Sequence, residues 1–488
     1  MRFMTRWLFF ATITFGLFAA CKDKPLQPEN VTVSLEITAP ARAIYSGGSL
    51  QLAAIAKLNS GQTNEVTPHV AWSMQPGTAG RVNASGLFTA NNNVTGRETV
   101  RADYKGQSAT FQIDVTKRAA SLAIWPVHAK VEAGRALRFE AIAEYQDISH
   151  EYVTNKVSWS IAPGVAATID TAGVLRARPG ASGFETVSGT FQTLTVKSQI
   201  EVQAQFSSPI ELVTIPAGSF MMGDDNGRNN ERPAHEVHVD AFAIGKYEVT
   251  NEQYANYLTQ AFAAGEILYE STLVTGKQGP FAASIYTRLR GATEFPDNFI
   301  EATEVAPGRF EFRAIAGFEN YPVVRLNWYG AVAFCAFYGL RLPTEAEWEK
   351  ASRGGQQLAY GTSDGTISHD LANYQGVGGR DIFTSVAPVG SFPPNPYGLY
   401  DMSGNAAEFV SDIYDANYYA SSPRQNPPGP GPARFFAPIP GGLALWRGGS
   451  WIDPPNLCRS AFRGTMRENA DHNLLVEAIV GFRVARSL

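Results

Sequence analysis

An internal repeat of 87 residues is the feature that most constrains this chain. Gly47, Leu50, Trp72 and Gly86 return as Gly134, Leu137, Trp159 and Gly173, each pair 87 positions apart. The stretches WSMQPGTAGRVNASGLFTA and WSIAPGVAATIDTAGVLRA are one element written twice, and self-similarity at a fixed period marks a structural unit with its own core. Within each copy apolar and polar residues alternate, as in Leu50-Gln51-Leu52-Ala53. Turn signals such as Asn59-Ser60-Gly61 and Ala84-Ser85-Gly86 punctuate them. A period of two puts successive side chains on opposite faces, the pattern of short antiparallel strands packed as a β-sandwich. Two all-β domains are therefore expected, over 31–116 and 119–204, each with a tryptophan plugging its core. Their junctions are expected at 116–120 and 204–209.

These halves resemble bacterial Ig-like modules (group 2) of surface adhesins. No charged or aromatic cluster stands out in them. The plainer reading is therefore a spacer that lifts the C-terminal domain away from a membrane, with ligand binding by the sandwiches as the alternative.

The N-terminus supplies the membrane. Arg2 and Arg6 precede an apolar run from Trp7 to Ala20, which is too short for a stable spanning helix but suits the centre of a secretory signal. Phe18-Ala19-Ala20-Cys21 resembles a bacterial lipobox. It implies a signal peptide over 1–20, lipid on Cys21, and a polar, proline-containing tether over 21–30. Lys22 after the cysteine implies the outer membrane, hence a cell-envelope, surface-exposed lipoprotein. A net charge of −5 with no basic stripe argues against nucleic acid as a partner. Of three cysteines, Cys335 and Cys458 remain in the mature chain, too few for a disulfide framework in an exported protein. Cys335 lies in an apolar helical pattern and reads as a core thiol.

From Pro209 the pattern changes: less alternation, more aromatics, more loop. Thr250 with Gln253, and Thr344 with Glu347, are capping boxes that predict two helix starts. His235 and His238, three apart in an extended segment, point to opposite faces and read as separate histidines. Residues 263–318 look like an insertion with short strand signals.

The segments PAGSFMMG, YEVTNEQY, PVVRLNWYGAVAFC, LPTEAEWEKASRGG, GLYDMSGNAAEF, RGGSW and GFRVA resemble, in order, the formylglycine-generating enzyme or sulfatase-modifying-factor family. The resemblance covers most of 209–488. It implies an α+β variant of the C-type lectin fold, so the whole chain is expected to be multidomain, two all-β sandwiches followed by this domain. The resemblance also implies two Ca²⁺ sites. One would use the side chains of Asn373 and Asp381 with the carbonyls of Tyr374 and Phe383. The other would use Asp401 and Glu408 with the carbonyls of Gly404 and Ala406. Hard oxygen donors interleaved with carbonyls are what Ca²⁺ requires.

The family's catalytic pair is two cysteines that hold Cu(I). Here the second falls on Cys458 and the first on Asp453, a hard ligand unsuited to a soft ion. The family serine is kept as Ser450, while a usual aromatic falls on Ala407 and the tyrosine before the second cysteine on Leu457. These losses argue against copper oxidase chemistry. An oxidase working with Cys458 and Ser450 on exported protein cysteines remains the alternative.

A subset of this fold forms the variable proteins of diversity-generating retroelements, whose C-terminal segment is rewritten at adenines of Asn codons. The end of this chain, RGGSW…CRSAFRG…GFR, resembles such a segment. Its chemically mixed positions are Ile452, Asp453, Leu457, Phe462, Gly464, Thr465 and Met466, all but Met466 reachable from an Asn codon. They are expected to form an exposed patch that binds a protein, peptide or glycan.

Overall fold

The computed structural model describes residues 30–75, 77–92, 94–146, 149–204, 209–277, 281–291, 298–430, 443–467 and 479–488. The expected lipidation site Cys21, with the signal and most of the tether, lies outside them. The chain forms two compact units, divided between Arg118 and Ala119.

The repeat is carried into three dimensions strand for strand. In the first unit, Gln107–Thr116 pairs with Gly96–Tyr104 and runs parallel to Ala43–Tyr45; a second sheet joins Thr32–Thr38 to Ala53–Leu58, and a third joins Ser49–Gln51 to Leu87–Ala90. The second copy reproduces this order with Leu194–Gln203, Gly183–Phe191 and His128–Glu132, then Ala119–Trp125 with Glu140–Tyr145, and Ala136–Arg138 with Val174–Ala177.

The reasons are also duplicated. Trp72 Nε1 donates to the Thr67 carbonyl and Trp159 Nε1 to the Thr154 carbonyl, both at 3.1 Å. Asn83 and Asp170 each accept two backbone N–H groups across a tight turn. Gly86 and Gly173 close those turns at φ +78°, where an L side chain is strained. Buried Glu98 and Glu185, also 87 apart, accept backbone N–H groups from Ala79 and from Gly164. This acidic pair is not among the repeated positions picked out above, although its spacing is in the sequence.

The second sandwich belongs to the same compact unit as the C-terminal domain. The Trp125 ring packs on Phe281 at 4.8 Å, Lys130 Nζ reaches Gln260 Oε1 at 3.1 Å, and Glu132 pairs with Arg486 at 3.3 Å. The expected junction at 204–209 is thus not where the compact units part.

In the C-terminal domain helix α1 spans Asn251–Ala263 and α3 spans Glu345–Ser352, and both expected capping boxes are formed. Between them α2, Trp328–Phe337, is apolar on every side and nine of its ten residues are buried, as an enclosed helix must be. Cys335 sits on it, and burial pushes its thiol up. A four-stranded sheet runs in the order Gly464–Arg467, Leu443–Arg447, Ala407–Ile413, Val480–Phe482. The insertion folds as short antiparallel strands, of which Arg309–Ala314 meets α1 through a reciprocal pair between Thr259 Oγ1 and the Phe312 backbone.

Candidate functional site

Four arginines fix the last stretch of chain. Arg447 is buried, giving Nη1 to Glu345 at 2.6 Å and Nη2 to Glu349 at 2.7 Å, both on α3. Arg463 meets the same Glu345 at 2.7 and 3.0 Å. Arg459 holds Glu231 and Asp224, and Arg483 is bidentate to Glu408 at 2.6 Å on both oxygens. Buried ion pairs are tolerated when the charges are matched and hydrogen-bonded, and here each of the four guanidiniums meets at least one carboxylate. Sequence reasoning misses this network. Its signal is Glu345 and Glu349 one helical turn apart with Arg353 beyond.

The loop between Arg447 and Cys458 is set by a local turn. Asp453 Oδ2 accepts the Ser450 N–H at 2.9 Å and the Ser450 hydroxyl at 2.7 Å, and Asp453 N–H donates to the Ser450 carbonyl at 3.0 Å. The carboxylate standing where the family has a thiol is therefore committed to Ser450. Cys458 is fully buried, its Sγ against the carbonyls of Pro454 at 3.7 Å and Asp453 at 3.9 Å. Burial pushes its thiol far up, and the Asp453 charge adds to it. Gly449 allows this packing: at φ +69°, a Cβ there would stand 2.8 Å from Sγ. A protonated thiol and an occupied carboxylate do not fit Cu(I).

Both expected calcium sets abut this loop. Gln375 N–H donates to the Asp453 carbonyl at 3.0 Å, which ties the loop to Asn373 and Tyr374. Asn373 is buried. Its Nδ2 donates to the Ser385 carbonyl, while its Oδ1 has no hydrogen-bond partner among the described residues. Asp381, also buried, accepts the Phe383 N–H and meets His369 Nδ1 at 3.0 Å; the His369 ring stacks on Tyr374 at 4.1 Å. An orphaned buried oxygen near a buried carboxylate fits a hard cation.

The second set lies next door, because Asn405 N–H donates to the Asn373 carbonyl. Three of the four lone-pair sites of Glu408 are taken by Arg483 and Trp348. Even so, buried Glu248, Asp401 and Glu408 face the one guanidinium of Arg483. Burial, with Glu408 adding, pushes the Asp401 carboxyl up to about 6 against the Gly390 N–H and Arg483. Glu248 is raised by burial first, then by Asp401 and Glu408. A divalent cation beside Asp401 would offset that excess. Among the described residues no three His, Cys, Asp or Glu side chains converge on one metal position, so backbone carbonyls would have to complete either set, as the expected sets require. Glu248 is a further residue that sequence reasoning misses, although it lies within the motif YEVTNEQY.

The expected binding patch is only partly on the surface. Ile452 and Thr465 are exposed, and Asp453 and Leu457 are half-buried. Phe462 and Gly464 correct the expectation. Phe462 is buried against Trp446 at 5.5 Å. Gly464 is buried where a Cβ would fall 2.2 Å from that same ring. Both are core positions because the strand Gly464–Arg467 packs Trp446 beneath itself. The Met466 side chain lies outside the described residues, and Ala407 is a core residue of the sheet. Val377 and Ile382, 57% and 77% exposed, stand in the segment that follows Gln375, which is bonded to Asp453.

The chain belongs to the family of sulfatase-modifying factor enzyme 1-like domains, which its residues 196–488 match. Serine/threonine-protein kinase pkn1 of Chlamydia caviae is 31% identical over 293 residues, which cover 60% of this chain and 40% of the kinase. Formylglycine-generating enzyme of Bos taurus is 34% identical over 281 residues, 52% of this chain and 71% of the enzyme. The chain thus spans well under half the length of the chlamydial kinase. Among solved structures, Treponema denticola variable protein 1 aligns with 62% of this chain and 98% of its own, at 21% identity and a TM-score of 0.37.

Proposed function

We propose that this protein is a ligand-binding, non-oxidising member of the family, presented at the bacterial surface as a lipoprotein and stabilised by calcium. One observation carries the reading. At the family's catalytic pair, Asp453 is spent on Ser450 and Cys458 is a buried, protonated thiol. Without two thiolates there is no soft-metal site at which oxygen and a substrate cysteine can meet. What the loop does present is exposed apolar Ile452 beside half-buried Asp453 and Leu457. That face suits a protein, peptide or glycan. Adenine-directed diversification is not needed for this reading, and two of its expected positions, Phe462 and Gly464, lie in the core.

The test is a conversion assay on a sulfatase-motif peptide with and without added copper. No formylglycine is expected. Turnover that disappears in Cys458→Ser would restore the oxidase reading. Anchoring through Cys21 is checked separately, because Cys21→Ser is expected to move the chain from membranes to the soluble fraction. An unmodified mature N-terminus by mass spectrometry would defeat that part.

A further inference from the structure

A groove of about 1080 Å³ runs between the second sandwich and the C-terminal domain, away from the Asp453 loop. It lies at the upper end of the size of ligand pockets. Its two walls are held in register by contacts of several kinds. Trp125 packs on Phe281, Lys130 Nζ lies 4.9 Å above the Phe337 ring, and His128 Nδ1 sits 3.0 Å from Glu266. The Lys130 carbonyl comes so close to Gly339 that a Cβ there would stand 2.2 Å from it. The groove is therefore built by docking and not left over between loosely joined bodies.

Its chemistry is cationic. Seven lysines and arginines line it against two glutamates, in a chain whose net charge is −5. Lys156 is paired with Glu151 and Arg341 with Glu347, neither of which lines the groove, and an excess of positive charge still remains. Five of the seven are arginines, whose planar forks match carboxylate or sulfate in a bidentate way. Arg341 is spent on Glu347. Others are loosely held: Arg138 is 3.8 Å from Glu140 and Arg135 is 3.6 Å from Glu132. Arg486 keeps a buried Nε with no partner among the described residues.

The geometry of one wall separates two kinds of occupant. Val174 and Arg176 are alternate residues of a central strand, and Arg138 lies on the same sheet face, since Val174 pairs with Arg138 and Ala136 with Arg176. The wall is thus a sheet face, and the strand that carries Val174 and Arg176 is paired on both sides. Recognition there is by side chains and not by adding a peptide strand to an open edge. The half-buried rings of Trp125 and Tyr152 and the polar Thr154, Asn155 and Ser487 also line it, together with apolar side chains such as Val131, Leu137 and Leu340. Apolar rings beside hydroxyl and amide groups suit the alternating faces and edges of sugars.

We infer that this groove binds an anionic oligosaccharide bearing carboxylate or sulfate groups. The site is independent of the Asp453 face. The test titrates the full chain with a labelled oligogalacturonate and a sulfated hexasaccharide, with maltohexaose as the neutral control. Saturable binding of at least one anionic sugar is expected, weakened by added salt, with none for maltohexaose. The double variant Arg138→Glu/Arg176→Glu alters two exposed side chains. It is expected to keep the melting temperature and to weaken binding about tenfold or more, whereas Ile452→Ser leaves binding unchanged. The inference is overturned if no anionic sugar binds, if the double variant binds as the parent does, or if poly-glutamate of equal charge binds as tightly. A loss of binding in Ile452→Ser alone would move the sugar to the Asp453 face and defeat the groove, without touching the absence of oxidase chemistry.

Discussion

Asp453 and Glu349 show how far a single residue is legible. That Asp453 breaks the copper pair is visible in the sequence. That its oxygen is satisfied by Ser450, two bonds at 2.7 and 2.9 Å, is not, because only the folded turn brings them together. Glu349 shows in the sequence only its one-turn spacing from Glu345, yet it is one of the carboxylates that hold the C-terminal segment. Burial pushes its carboxyl up, but the Arg353 and Arg447 guanidiniums and the Gly223 N–H bring it below its usual 4.5. A depressed acid adds stability that is complete above the unfolded pKa and is lost as pH falls through the lower native value. We expect the unit containing residues 119–488 to lose stability on acidification below pH 4.5, and Glu349→Gln to flatten part of that acid limb. Because the substitution leaves buried Arg447 short of a counter-charge, it should cost about 3–5 kcal/mol at neutral pH. Urea titrations across pH would show it. An unchanged acid limb in Glu349→Gln would remove Glu349 from the account.

At the scale of elements, local signals are legible where they are self-contained. The Thr250–Gln253 and Thr344–Glu347 boxes start α1 and α3 because a cap needs only four consecutive residues. The paired turns at Asn83 and Asp170 have the same locality. The strand Gly464–Arg467 reads as surface in the sequence, since Phe462 and Gly464 look like loop residues until Trp446 from the adjacent strand is placed beneath them. Cross-strand partners at that separation leave no periodicity in the chain. The single-turn spacing of Glu345 and Glu349 is likewise visible, but the arginines that explain it arrive from about a hundred residues away.

For the whole molecule, calcium gives the sharpest expectation. All candidate ligands lie in the unit containing residues 119–488, so chelation should lower that unit's melting temperature and leave the unit ending at Arg118 unaffected. The second sandwich should melt with the C-terminal domain, because Trp125, Lys130 and Glu132 pack into it. Each tenfold rise in free Ca²⁺ above its dissociation constant should add about 1.4 kcal/mol per site. Calorimetry during a calcium titration reads this directly. A single transition insensitive to Ca²⁺ would sink both sites, and an independent transition for the second sandwich would sink its docking.

The duplicated β units, the capped helices, the family of the C-terminal domain and the absence of its second thiol are all legible in the chain alone. Each of these is written in short-range patterns or in residue identity, which survive without coordinates. Folding alone seals Cys458, puts Phe462 and Gly464 in the core, brings Glu248 to the acidic cluster at Asp401, and docks the second β repeat with a groove at the seam. Those depend on burial and on partners distant in the chain. Burial sets the acidity of a thiol, and the net charge of a groove belongs to the walls that meet there.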